Sequence, residues 1–153
     1  MAASPGNLLR VKVSIERVGE ATDEVRDALE RLIPQLNPLL SGPDADLLRR
    51  VVADPAVTLL VARVDGRIAG SATVAVVATP TQVMAHVNDV VVDEEVRSVG
   101  VGRTLMDAAI GVARERGATV VRLTSAERRG AAHRLYERMG FVRLDSRAYR
   151  LDL

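Results

Sequence analysis

Apolar and polar residues change period several times along this chain, and each change predicts an element. Leu9, Val11, Val13 and Ile15 alternate with Arg10, Lys12, Ser14 and Glu16, the period of a half-buried strand near a sheet edge. Thr22 then offers an N-cap, with Asp23 and Glu24 in the first turn, and Ala21, Val25, Ala28, Leu29 and Leu32 fall at helical spacing. Pro34 is expected to end that helix. Asn37-Pro38 and Ser41-Gly42 mark a loop. Pro43 opens a second helix with Asp44 and Asp46 at its positive end and a stripe of Leu47, Leu48, Val51 and Val52, closed by Asp54-Pro55. Two short helices ahead of a sheet can wall a binding cleft.

The middle of the chain reads as strands. Val57 to Val64 and Ile68 to Val77 flank an Asp65-Gly66 hairpin turn. After Thr79-Pro80-Thr81, Gln82 to Val92 forms a third antiparallel strand. Gly102 to Arg116 is a helix with Leu105, Met106, Ala109, Ile110 and Ala113 on one face, stopped by Gly117. Thr119 to Thr124 follows a crossover helix, so it should run parallel to the strand ending at Val92. Ala132, Leu135, Tyr136 and Met139 mark a last helix, stopped by Gly140. Phe141 to Leu144 and Arg147 to Leu153 are expected to complete the sheet as a hairpin, with Tyr149, Leu151 and Leu153 alternating with Ala148, Arg150 and Asp152. Without repeats or internal linkers, the expectation is one domain over residues 1–153. A sheet that switches from antiparallel to parallel can splay there, and ligands favour such switches.

The chemistry concentrates where the third strand enters the glycine-rich turn. Val90, Val91 and Val92 form a β-branched run. Arg97, Ser98, Val99, Gly100, Val101, Gly102 and Arg103 follow. Gly100 and Gly102 permit a sharp turn and close approach of a ligand. The first N–H groups of the next helix lack internal partners and point into the turn. Together with the guanidinium groups of Arg97 and Arg103, they favour a phosphate. The dinucleotide fingerprint does not fit, because Leu105 stands where a third glycine is needed and the strand comes late in the chain. The P-loop does not fit either, since Gly102 is followed by Arg103 and not by lysine. An ordinary strand-to-helix turn accommodates the same residues.

Composition removes several alternatives. A net charge of +1 supplies no general attraction to nucleic acid, and 2% aromatic residues leave almost nothing to stack on bases. There is no cysteine, which excludes disulfides, thiolate metal sites and a cysteine nucleophile. With His86 and His133 the only histidines, no metal site is expected. No apolar run approaches the ~18 residues of a membrane span, and Met1 to Asn7 lacks the pattern of a signal peptide. The expectation is a cytoplasmic protein that uses neither membrane nor nucleic acid.

The pattern Arg-x-x-Gly-x-Gly, filled by Arg97, Gly100 and Gly102, resembles the pyrophosphate-binding loop of the GNAT family of N-acetyltransferases. A second stretch strengthens the likeness. Ala132-His133-Arg134-Leu135-Tyr136-Glu137-Arg138-Met139-Gly140-Phe141 resembles the A-x-x-x-Tyr-x-x-x-Gly-Phe signature of that family, at the family's distance from the loop. The resemblance runs from about Val11 to Leu153. It implies an α/β (α+β) fold: a mixed, mostly antiparallel sheet with one parallel, splayed strand pair and helices on both faces. It also implies acetyl transfer from acetyl-CoA, with no metal, to a primary amine of a small molecule or peptide. Pantetheine would lie along the main chain of Val90, Val91 and Val92, and the diphosphate against Ser98 to Arg103. Tyr136 would protonate the departing thiolate. Many relatives carry a glutamate just before the valine run. Here Asn88 stands there, which cannot act as a base; Asp89 or His86 could, directly or through water, and Asp89 is the candidate base, although strand alternation puts 88 and 89 on opposite faces. Arg129 replaces the asparagine that relatives often carry seven residues before the tyrosine. His86, Asn88 and Tyr149 are the candidate acceptor contacts, alongside Gln35, Asn37 and Asp44. The missing glutamate leaves a second reading, a non-catalytic acyl-CoA-binding regulatory module, and a homodimer is compatible with either.

Overall fold

The structure, a computed structural model, describes residues 11–153. Leu9 and Arg10 of the first expected strand, and Met1 to Asn7, lie outside the described residues. The chain divides into two compact units, residues 1–123 and 124–153.

The first unit holds a five-stranded sheet in the order β1-β2-β3-β4-β5, comprising β1 (Val13–Arg17), β2 (Val57–Val64), β3 (Arg67–Ala78), β4 (Val83–Val92) and β5 (Val120–Leu123). The first four are antiparallel to their neighbours, and β5 runs parallel to β4. β1 pairs only with β2, the edge position its half-polar alternation suggested.

Alternation along β2 sends side chains to two cores. Leu59 and Val61 pack with Val25, Leu29 and Leu32 of α1 (Asp23–Leu36) and Leu48 of α2 (Ala45–Ala53). On the other face, α3 (Val101–Glu115) lies across β2, β3 and β4. Its Val101 side chain reaches toward Gly70 and Ala62, where a Cβ on Gly70 would be only 3.2 Å from the Val91 carbonyl oxygen. Leu105, Met106, Ala109 and Val112 of α3 are fully buried, so the apolar stripe of the sequence is the packed stripe of the helix.

Two local expectations are corrected. α1 does not stop at Pro34 but runs on to Leu36, with the Asn37 N–H closing on the Ile33 carbonyl oxygen at 3.2 Å. A proline in the last turn removes only one ladder bond there, and the turn survives its loss. In the second unit, residues 141–153 form no strand. Alternation describes which side chains a strand would bury, but a strand also needs a paired backbone. This segment has none, and Tyr149 and Leu151 stand 89% and 84% exposed.

The second unit is built on α4 (Gly130–Arg138). Gly140, at φ +92°, ends it, its N–H bonded to the Glu137 carbonyl and the Phe141 N–H to the Tyr136 carbonyl, both at 3.0 Å. The Tyr136 ring is buried and meets the Phe141 ring at a centroid distance of 5.8 Å and an interplanar angle of 59°.

Candidate active site

β4 is where the sheet opens. β5 accompanies it only from Met84 to Val87, the last pair being Val87 with Leu123. From Asn88 to Val92, β4 keeps β3 on one side, and among the described residues no strand pairs with it on the other. A bulge lies in this stretch: Thr73 pairs with Asn88 and Ser71 with Val91, so Asp89 and Val90 stand opposite the single residue Ala72. Asp89 takes φ +51° there, a left-handed conformation that a short carboxylate side chain tolerates. The bulge breaks the alternation expected at 88 and 89. Both side chains are exposed, and Asp89 is re-aimed, as bulges do.

Asp89 lines a cleft of about 500 Å³ together with Ser71 and Thr73 of β3. Its walls are Leu29 and Ile33 of α1, the Leu40–Asp44 loop, Leu47, Leu48 and Val51 of α2, and Leu59. The helix pair thus walls a cleft, as the sequence suggested. Gly42 makes this possible: a Cβ there would sit 2.6 Å from the Glu30 Cα and main-chain nitrogen, so the loop lies directly on the backbone of α1. Of the other acceptor candidates, Asp44 borders the cleft while accepting the Leu47 N–H at 2.7 Å as the N-cap of α2. Gln35 and Asn37 are engaged elsewhere, on the Glu94 N–H and the Leu39 N–H. His86 sits half-buried within the ladder, opposite Ala75 and Arg122, and Asn88 is not among the lining residues. Tyr149 belongs to the strandless segment of the second unit.

Beyond Val92 the chain turns through a short 3-10 segment, Glu94–Val96, and reaches α3 at Val101, one residue earlier than expected. Ser98 and Gly100 take φ +71° and +86°. Gly100 is the N-cap of α3, no side chain caps the helix, and a Cβ on Gly100 would meet nothing within 4 Å. Gly100 thus leaves no side chain of its own at the positive end of a four-turn helix. The arginines are held nearby by local contacts. Arg97 Nε donates to the Val92 carbonyl oxygen at 3.2 Å, and Arg103 pairs with Asp107 at 3.3 Å.

The loop is fastened by Asp93, whose role sequence reading missed. Its carboxylate is 4% exposed and pairs with Arg31 of α1, while its second oxygen accepts the Glu95 N–H at 3.2 Å. Arg31 also donates to the Ile68 carbonyl at 2.7 Å, and Gln35, one helical turn on, accepts the Glu94 N–H at 2.9 Å. Arg67 stands 3.9 Å from Asp93 and 3.0 Å from Glu95. An isolated aspartate after a valine run carries no sign of a cation 62 residues earlier.

In the second unit, burial pushes the Tyr136 phenol above its ordinary pKa, and the charge of Arg129 partly opposes that shift. The Ser125 hydroxyl is buried without a hydrogen-bond partner. Among the described residues no group of three or more His, Asp or Glu side chains is placed to hold a metal ion, and no helix is long and apolar enough to cross a membrane.

The acetyltransferase (GNAT) family profile matches residues 23–141. A glucosamine 6-phosphate N-acetyltransferase from Trypanosoma brucei brucei is 36% identical over 91 residues, spanning 58% of this chain and 59% of that protein's length. Among solved structures, a putative acetyltransferase from Agrobacterium tumefaciens aligns with a TM-score of 0.79 at 26% identity over 92% of this chain and 99% of its own. A Trypanosoma brucei acetyltransferase aligns with a TM-score of 0.71 at 28% identity over 93% of this chain and 100% of its own.

Proposed function

The chain belongs to the acetyltransferase (GNAT) family, and on that premise we propose that it transfers the acetyl group of acetyl-CoA to a primary amine. The observation that carries this reading is continuous: the open side of β4 from Asn88 to Val92 leads directly into the uncapped, glycine-led N-terminus of α3. An extended pantetheine arm suits the part of β4 that runs on past the end of β5, and a diphosphate suits a helix N-terminus led by glycine.

When bound, acetyl-CoA supplies a thioester carbonyl carbon open to an amine. The main chain of Val90, Val91 and Val92 orients the arm, and a strand N–H polarises the carbonyl oxygen. The loop from Arg97 through Ser98, Val99, Gly100, Val101, Gly102 and Arg103 receives the phosphates. Asp89, at the cleft, takes the proton that the ammonium must lose, directly or through water. By its resemblance to the family signature, Tyr136 is assigned the proton that the sulfur needs as the C–S bond breaks and the C–N bond forms; burial raises the pKa of this phenol. The nitrogen gives up two protons, one to Asp89 before it attacks and a second as the C–N bond forms; the second offsets the proton that the sulfur takes from Tyr136, and the proton on Asp89 passes to water, so atoms and charges balance. The names of the relatives support an enzyme over a binding module.

The test is thiol release from acetyl-CoA with a panel of primary amines, beside calorimetric titration with acetyl-CoA. Saturable release is expected, and Asp89→Asn should lower its rate while acetyl-CoA still binds. Tight binding of acetyl-CoA with no release from any amine would establish the non-catalytic module instead.

A further inference from the structure

The lining of the cleft is one-sided in chemistry. Its walls are leucine, isoleucine and valine side chains, and two of the lining leucines, Leu40 and Leu47, are 46% and 49% exposed. Its polar side chains are the hydroxyls of Ser41, Ser71 and Thr73 and the carboxylates of Asp44 and Asp89, and among the described residues none of the lining is Arg, Lys or His. Resting on the transferase reading, we propose that the acceptor is a small amphipathic monoamine, an ammonium group on an unbranched alkyl or arylalkyl body, and not a phosphorylated sugar.

The argument is charge and area complementarity. An ammonium group placed by Asp89 gains a carboxylate and two hydroxyl acceptors. Its carbon body covers apolar side chains that otherwise face water. A volume of about 500 Å³ is within the range of small-molecule sites. A sugar phosphate reverses every term. Its hydroxyls would meet aliphatic walls without partners, and its dianion would lose water with no cation to replace it and two carboxylates nearby. The Trypanosoma relative is named for glucosamine 6-phosphate, an acceptor that this lining does not match.

The experiment has a binding arm and a turnover arm. Butylamine, hexylamine, phenethylamine and glucosamine 6-phosphate are titrated calorimetrically into the whole chain without acetyl-CoA, and each is then assayed for thiol release. Binding should tighten about three- to fourfold per added methylene from butylamine to hexylamine, with phenethylamine comparable. Glucosamine 6-phosphate should bind at least about a hundredfold more weakly than hexylamine. Leu47→Arg alters a half-exposed position, so circular dichroism should be unchanged while hexylamine affinity falls about tenfold. A flat chain-length series, or preference for the sugar phosphate, overturns the proposal. Thiol release driven best by the sugar phosphate would leave the transferase reading standing without it. Chain-length-dependent binding with no release from any amine would support the cleft chemistry and remove the transferase reading.

Discussion

Replacing Arg31 by methionine tests whether α1 holds the loop proposed to receive the cofactor phosphates. The substitution keeps the length and helix propensity of the side chain but withdraws the charge from Asp93, whose side chain is 4% exposed. Removing one partner of a fully buried pair costs about 3–5 kcal/mol, because the remaining charge is left desolvated. Two features reduce that figure here. Arg31 is itself 33% exposed, and Arg67 remains 3.9 Å from the same carboxylate oxygen. That second pair is about 4 kcal/mol at an effective dielectric of 20, but the Arg67 side chain is 56% exposed, so most of it is screened. The Ile68 carbonyl also loses a charged donor. The net expectation is a loss of about 2–3 kcal/mol, or about 4–12 °C in Tm at this chain length. Urea unfolding measures the first quantity. Because the Asp93 turn leads into the loop, the KM for acetyl-CoA should rise while kcat changes less. Asp93→Asn added to Arg31→Met should recover about 1–2 kcal/mol, since it removes the stranded charge yet still accepts the Glu95 N–H. A single variant costing under about 0.5 kcal/mol with an unchanged KM, or a double variant no more stable than the single, refutes the clamp.

Three further outcomes are expected. Tyr136→Phe should lower kcat about 10²–10⁴-fold with acetyl-CoA binding intact. In the unsubstituted protein the buried phenol should leave stability unaffected by pH below about 10, the unfolded value. Stability should then fall as pH climbs from there through the raised folded value, because only the unfolded chain ionises easily in that window; alkaline unfolding curves of the two proteins check it. Gly100→Ala places a Cβ at φ +86°; it should cost about 1–2 kcal/mol in urea melts and weaken acetyl-CoA binding measured by calorimetry. Gly42→Ala forces the loop off the backbone of α1, with an expected loss of about 1–3 kcal/mol and weaker amine binding, while acetyl-CoA affinity stays within about twofold.

What could be read without coordinates was whatever repeats with a period or pairs a rigid turn with a charge. The helices at Val25–Leu32 and Leu105–Ala113 and the hairpin at Asp65-Gly66 carry such signals, and all three formed where expected. The turn at Gly100 was legible because a helix start and a glycine coincide there. The failures share a cause. Tyr149, Leu151 and Leu153 alternate as a strand would, but alternation says nothing of whether a backbone partner exists. Asp89 was assigned a face by counting, and a bulge changes the count without altering composition. Asp93 looked like an ordinary turn residue, since its meaning depends on a cation brought to it from a distant helix.

That distant helix also borders both the cleft and the loop, the two places proposed to receive ligands. Leu29 and Ile33 of α1 face the cleft, whereas Arg31 and Gln35, offset by two positions and therefore by more than half a turn, hold the loop. α2 contributes only to the cleft. The two helices should therefore separate genetically. Leu47→Arg should raise the KM of the amine and leave that of acetyl-CoA within about twofold. Arg31→Met should do the reverse, provided the helix itself stays in place. Steady-state kinetics with each substrate varied against a fixed excess of the other distinguishes them. If both variants moved both constants in parallel, the helix would be acting as a single rigid lever, and the division between its two stripes would not exist.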